Sequence, residues 1–257
     1  MKVVLLAGGL GTRLSEETDM RPKPMVEIGD RPILWHIMKI YAHYCFNDFH
    51  IALGYKGEAI KRYFWELNNL SGNLTIQFGS GNVERLCEEI EDWQVHLIDT
   101  GLDTQTGGRL RRLKPYLCNA TFMLTYGDGV SNVDLADLLR FHRAQGCIST
   151  VTAVRPPARF GGLILEGGRA AGFSEKPQIG EGWINGGFFV FEPRIFDYLD
   201  GDATNLEADV LTRLAADGQL AAYQHTGFWQ CMDTLREKRL LDHLWKEGNK
   251  PWKVWKD

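Results

Sequence analysis

The densest chemical signal in the sequence is the run Leu6-Ala7-Gly8-Gly9-Leu10-Gly11-Thr12-Arg13-Leu14. Three glycines in four positions let the main chain approach a ligand closely and turn successive N–H groups toward phosphate oxygens. Arg13 adds a guanidinium suited to bidentate phosphate contact. Two better-known phosphate loops do not fit. A P-loop ends in Gly-Lys-Ser/Thr, which is missing, and a dinucleotide fingerprint needs glycine where Leu14 stands. Shortly after comes Arg21-Pro22-Lys23-Pro24-Met25, in which a proline on each side of Lys23 stiffens the backbone and places one ammonium consistently.

Other reactive residue types give little. His36, His43 and His50 recur every seven residues, but the first two share a helix pattern and the third falls in the next strand, so they read as surface or core histidines. No Ser-His or Cys-His nucleophile pairing is suggested. The five cysteines, Cys45, Cys87, Cys118, Cys147 and Cys231, carry neither zinc spacing nor a disulfide framework and read as reduced thiols.

These groups need a scaffold, and the length of 257 residues suits one large α/β domain or two small ones. Apolar residues make up 44% and charged residues 24%, which is enough for a sizeable core. The net charge of −4 has no basic block behind it, which argues against nucleic acid and anionic membranes as partners. No apolar stretch reaches the roughly 18 residues of a membrane span. The chain enters a strand-like run at once, without a signal-peptide core, so the expected location is cytoplasmic.

Buried strands are expected at Lys2–Ala7, Phe49–Leu53, Leu74–Phe78, Val95–Ile98, Thr121–Tyr126 and Ser149–Val154, with strand-like character again at Phe228–Cys231. Helices are expected at Pro32–Cys45, Gly57–Leu67, Gly108–Leu117, Asp134–Ala144 and Thr234–Trp245. A capping box from Thr204 to Glu207 opens a further helix through Ala216. Shorter strands at Phe160–Leu165, Ala170–Ser174 and Asn185–Phe191 suggest an antiparallel extension. The order implies a mostly parallel mixed sheet flanked by helices, with the glycine loop at a strand's C-terminal end, where such sheets bind ligands.

Gly-Gly-x-Gly-Thr-Arg-Leu followed by Pro-Lys-Pro resembles the signature of the nucleotide-sugar pyrophosphorylases, the sugar-1-phosphate nucleotidylyltransferases. The resemblance continues through Lys56-Gly57, Thr106-Gly107-Gly108-Arg109, Tyr126-Gly127-Asp128-Gly129, Pro157 to Gly161, Glu175-Lys176-Pro177, Asn185-Gly186-Gly187-Phe188 and Phe228 to Thr234. It implies a single Rossmann-like nucleotidyltransferase domain over 1–257, with a nucleotide-binding part (1–154) and a part that binds sugar phosphate and completes the metal site (155–257). Within the family it points to the branch that joins CTP and glucose 1-phosphate into CDP-glucose. Sister enzymes using UTP or dTTP, and a non-catalytic nucleotide-sugar-binding subunit, are the alternatives. Two departures stand out: Cys231 replaces an expected proline, and Leu206–Val210 lacks the usual acidic-proline wording.

The implied reaction is attack by a sugar-1-phosphate oxygen on the α-phosphorus of a nucleoside triphosphate, expelling pyrophosphate without a covalent intermediate. By resemblance, Leu6 through Arg13 cradle the nucleotide and Arg13 faces the leaving pyrophosphate. Lys23 serves the α-phosphate, and Asp128 and Asp233 hold Mg2+. Asp233 has an alternative as N-cap of the last helix. Lys176 holds the sugar phosphate, Glu175 accepts from sugar hydroxyls, and Asn185, Gly186 and Thr234 complete that end. Base selection falls to Thr104, Gly108 and Arg109, whose guanidinium would donate to cytosine O2 and N3. The resemblance also implies a homo-oligomer, a hexamer in this branch, and supply of deoxysugars for surface polysaccharide.

Overall fold

The computed structural model describes residues 1–11, 14–18, 21–86, 91–156, 162–166, 169–174 and 182–256. Seven strands form the central sheet: β1 (Lys2–Leu6), β2 (Asp48–Leu53), β3 (Gln94–Asp99), β4 (Phe122–Tyr126), β5 (Ser149–Val154), β6 (Ile184–Phe191) and β7 (Leu220–His225). Their order is β7-β5-β6-β4-β1-β2-β3. All neighbours run parallel except β6, which is antiparallel to both β5 and β4. This is the mostly parallel mixed sheet, with antiparallel additions in the second half, that the sequence leads one to expect.

β1 shows why the sheet sits at the centre. Val3 and Leu5 join one apolar layer with Ile37, Tyr41, Ile60 and Leu138. Val4 and Leu6 join the other, with Leu110, Leu117, Phe196 and Val210. Alternating side chains feed opposite faces, so a strand covered on both sides reads as an unbroken apolar run. On the first face lie the helices Ile33–His43, Gly57–Leu70 and Leu135–Gln145. The last of these starts at Asp134, whose side chain accepts from Asp137 N, and stops at Gly146 with φ +66°. Among the described residues, no helix is long and apolar enough to cross a membrane.

Several expectations need correction. The helix expected at Gly108–Leu117 is two, Thr106–Arg112 and Lys114–Leu117, because Pro115 has no N–H to continue the first. Leu74–Phe78 does not enter the main sheet; Asn73–Gln77 pairs with Asn82–Leu86 as a separate ribbon. Asn205, not Thr204, caps the next helix, its side chain accepting from Glu207 N and Ala208 N, while the Thr204 hydroxyl accepts from Gly201 N. That helix begins as a π-helical turn over Leu206–Leu211 before Thr212–Ala216. Thr234 caps Leu235–Lys246 in a full capping box with Glu237, which removes the N-cap reading of Asp233.

Candidate active site

The C-terminal ends of β1 and β4 open into a cleft of about 1800 Å3. Gly8, Lys23, Asp128, Asn185 and Asp233 all line it, although they span most of the chain. Two local features bring the charged members together. Lys23 opens a single 3-10 turn, Lys23–Met25, with Pro22 ahead of it and Pro24 buried beneath, so the flanking prolines do fix its base. Gly129–Ser131 pairs with Trp229–Cys231 in a short ribbon, in the register Gly129 to Cys231, and Met232 N donates to Asp128 O at 2.8 Å. Asp128 and Asp233 flank this ribbon, one on each strand.

The result is a three-membered charge cluster. Lys23 Nζ donates to Asp128 Oδ2 at 2.5 Å and also to Asp233 Oδ1. Its side chain is 11% exposed. Burial alone would lower the Lys23 pKa, but Asp128 and then Asp233 outweigh it and hold the ammonium above its ordinary value. Two carboxylates therefore converge on one cation beside the glycine loop. Next to them, burial pushes the Cys231 thiol up to about 12, with Glu237 and Asp233 adding to the shift, so it is an unreactive neighbour.

The glycine loop is held from behind. Gly127 N donates to Leu6 O at 3.0 Å, and a Cβ on Gly127 would meet that oxygen and Pro24 at 3.0 Å each. Gly11 has φ +66°, and its carbonyl accepts from Leu14 N and from the Thr18 hydroxyl. Ala7, Gly8, Gly9 and Gly11 line the cleft, whereas Leu10 is not among its lining residues and is 55% exposed.

Arg109 differs from the expectation of a base-reading donor. It is buried, and Nη1 donates to Leu53 O, Thr100 Oγ1 and Gly101 O, while Nη2 donates to Gly8 O and Leu102 O. The guanidinium thus clamps the glycine loop, the end of β2 and the turn after β3 into one wall. A Cβ on Gly8 or Gly54 would lie 2.4 Å from Arg109 Nη1, so close packing by this arginine explains both glycines. Gly108 also faces away: its N–H goes to Thr204 O at 3.1 Å, and a Cβ would strike Asp202 O at 2.3 Å. Of the three base candidates, Thr104 and Arg109 line the cleft and Gly108 does not.

At the other end, Asn185 Oδ1 accepts from Gly187 N and its amide donates to the Tyr126 hydroxyl at 3.1 Å. Tyr126 donates to Glu207 Oε1 at 2.6 Å, and the Thr106 hydroxyl donates to Glu207 Oε2 at 2.8 Å. Burial, then the Glu207 carboxylate, raises the Tyr126 pKa and keeps the phenol neutral. Sequence reasoning missed this Tyr126–Glu207–Thr106 chain, although Tyr126 and Thr106 both sit inside quoted motifs. Glu207 reads in the sequence as a capping-box partner, whereas the π-helical turn Leu206–Leu211 carries it into the cleft lining. Gly186 passes close to β5, where a Cβ would sit 2.6 Å from Val154 Cγ1. Gly186 O accepts from Trp229 Nε1 at 2.7 Å. Thr234 also lines the cleft, but its hydroxyl oxygen accepts from Glu237 N as the helix cap. Thr12, Arg13, Glu175, Lys176 and the segment Pro157 to Gly161 lie outside the described residues.

Comparison with known proteins bears on this arrangement. The family described as nucleotidyl transferase matches residues 2–257. The glucose-1-phosphate cytidylyltransferase of Salmonella typhi is 49% identical over 99% of this chain and 100% of its own length. The mannose-1-phosphate guanylyltransferase catalytic subunit beta of Dictyostelium discoideum is 29% identical over 95% of this chain and 64% of its own. In fold, the chain is similar to HddC from Yersinia pseudotuberculosis, with a TM-score of 0.70, 21% identity and coverage of 95% of this chain and 99% of that one.

Proposed function

We propose, for a chain that belongs to the nucleotidyl transferase family, that it is a glucose-1-phosphate cytidylyltransferase, converting CTP and glucose 1-phosphate into CDP-glucose and pyrophosphate. Family membership makes it a nucleotidyltransferase; the nucleotide and the sugar are our reading. The observation that carries the reading is the convergence of Lys23, Asp128 and Asp233 beside the glycine loop. Full-length similarity to the Salmonella typhi enzyme supports the choice of substrates.

The residues fit a magnesium ion. Mg2+ takes hard oxygen ligands and is usually held by one or two carboxylates together with substrate phosphates. Asp128 and Asp233 already point one oxygen each at a single cationic point. When bound, the ion would neutralise phosphate charge; Asp128 and Asp233 are the residues that would hold it.

The physical problem is to bring two polyanions together. Holding both in line is worth about 7–11 kcal/mol of barrier, and fixed cations at the developing charge add to that. Lys23, kept protonated by its carboxylates, would meet the α-phosphate where nucleophile and electrophile converge. The backbone of Ala7 to Gly11 cradles the triphosphate. Arg109 shapes the base-side wall through Gly8 and Leu102 rather than through a free guanidinium. Asn185, oriented by Tyr126 and Glu207, marks the sugar end. Arg13, Lys176 and Glu175 keep their proposed roles at the pyrophosphate, sugar phosphate and hexose. The sugar phosphate is anionic at neutral pH, so no general base is required.

We further place the reaction in the cytoplasm and read the protein as a homo-oligomer of the hexameric kind. The ribbon of Asn73–Gln77 and Asn82–Leu86 exposes Ile76 and Val83, with Phe78 93% exposed beside them, which supports association through that ribbon. The test of function is pyrophosphate release with four nucleoside triphosphates, each crossed with glucose-, mannose- and galactose-1-phosphate. CTP with glucose 1-phosphate should give the highest kcat/KM. A preference for UTP or dTTP would replace the cytidylyl assignment, and no release with any pair would make the chain a binding subunit.

A further inference from the structure

The two oxygens of Glu207 lead to different ends of the cleft. Oε1 accepts from the Tyr126 hydroxyl at 2.6 Å, and Oε2 accepts from the Thr106 hydroxyl at 2.8 Å. Tyr126 ends β4, and its phenol oxygen accepts from Asn185 Nδ2 at the sugar end. Thr106 opens the helix that carries Arg109 one turn on, and Arg109 Nη2 holds Gly8 O of the glycine loop. One side chain therefore joins the nucleotide wall to the sugar end.

The local chain is built to keep it there. Asn205 Oδ1 caps the π-helical turn by accepting from Glu207 N at 3.0 Å and Ala208 N at 2.8 Å. Leu206 N donates to Thr106 Oγ1 at 2.9 Å, and the same two segments meet again through Gln105 N to Asp202 O and Gly108 N to Thr204 O. Single π-helical turns are rare and concentrate at functional sites. The hydrogen-bond direction is fixed as well. Thr106 and Tyr126 each accept once, from Leu206 N and Asn185 Nδ2, and each turns its single proton to Glu207. An ionised carboxylate accepts at both oxygens, whereas a carboxamide in its place offers one. Asn185 is thereby held in one orientation, with Oδ1 on Gly187 N and Nδ2 on Tyr126.

We propose that Glu207 is a positioning residue that sets the sugar-phosphate site from the nucleotide wall. Through Thr106 it is anchored to the wall that holds the glycine loop, and through Tyr126 it holds Asn185 for the acceptor. This rests on the reading of Asn185 as the sugar end, and adds that Thr106, on the nucleotide side, governs affinity for the sugar phosphate. Its part is alignment and not proton transfer, because the sugar phosphate is already anionic.

The test is steady-state kinetics of the full chain, each substrate varied at saturating levels of the other, beside thermal melting. The substrate pair is the one wild type uses best in the pyrophosphate-release panel, so an error in the nucleotide assignment shows there and not here. Glu207→Gln, Tyr126→Phe and Thr106→Val should each raise the KM for sugar phosphate by about tenfold or more, the scale of a lost hydrogen bond to a charged group, with a smaller change for nucleotide. Thr106→Ser, which keeps the hydroxyl, should restore the sugar-phosphate KM. Glu207→Gln combined with Thr106→Val should be no worse than Glu207→Gln alone. If Glu207→Gln melts below the assay temperature, Thr106→Val against Thr106→Ser carries the test. As a control, Glu192 accepts from the Thr121 hydroxyl at 2.8 Å at the other end of β4. Glu192→Gln should lower the melting temperature and leave both KM values unchanged. An unchanged sugar-phosphate KM in Thr106→Val, equal rises in both KM values, additive losses in the double variant, or a wild type that turns over no pair would overturn the proposal.

Discussion

The cleft holds a buried cation in each wall, and the two are partnered in opposite ways. Lys23 is surrounded by carboxylates, Asp128 and Asp233. Arg109 is surrounded by neutral acceptors, the carbonyls of Gly8, Leu53, Gly101 and Leu102 with the Thr100 hydroxyl. Lys23 is held above its ordinary pKa against burial, whereas burial, and then Arg112, lower that of Arg109. A cation paired with carboxylates belongs to a cluster whose partners can turn to another ion or to a phosphate. A guanidinium whose donors end on main-chain carbonyls is part of the wall. The first corner is built for charge exchange and the second for shape.

Substitutions can break that contrast, the carboxylate corner first. Asp128→Asn should lower kcat by roughly 10²–10³-fold, the scale of losing one preorganised electrostatic group, with an unchanged circular dichroism spectrum. Near-normal turnover in saturating Mg2+ would remove Asp128 from the metal site. Lys23→Met should cost about 10²-fold or more on the same scale; a loss explained by a lower melting temperature alone would make Lys23 structural. Arg109→Ala should behave differently. Stripping a charged donor set from buried carbonyls should destabilise by roughly 2–3 kcal/mol, with a raised KM for nucleotide. An unchanged melting temperature would break the wall assignment. Thr234→Ala removes a helix cap beside the site and should cost about 1 kcal/mol, read by urea unfolding.

The same contrast has a pH signature. The folded pKa of Lys23 is raised above the unfolded 10.5, so its pairing contributes fully below that value and is lost as pH climbs through the folded pKa. The stability difference between wild type and Lys23→Met should therefore be flat through the neutral range and shrink only at strongly alkaline pH. A difference that varied around neutrality would implicate another titrating group.

Legibility in the sequence followed burial. β1 reads plainly because both faces are covered, and the Pro22-Lys23-Pro24 bracket announces a fixed ammonium. β7 was not expected because its inward and outward residues are mixed with polar ones, as at an exposed sheet edge. Gly129–Ser131 is too short to show any period, yet its pairing is what brings Asp233 to Asp128. Gly108 and Arg109 were recognisable as special but not for what: both answer to packing, against Asp202 and around Gly8. His50 is the core histidine that the sequence suggests, stacked on His96 across the β2–β3 register.

The most direct test of the central claim is binding of Mn2+, in place of Mg2+, measured by electron paramagnetic resonance with and without CTP. Wild type should bind one Mn2+ tightly only when CTP is present, and Asp128→Asn combined with Asp233→Asn should lose at least about tenfold of that affinity while still folding. Equal nucleotide-dependent binding in the double variant would contradict the account.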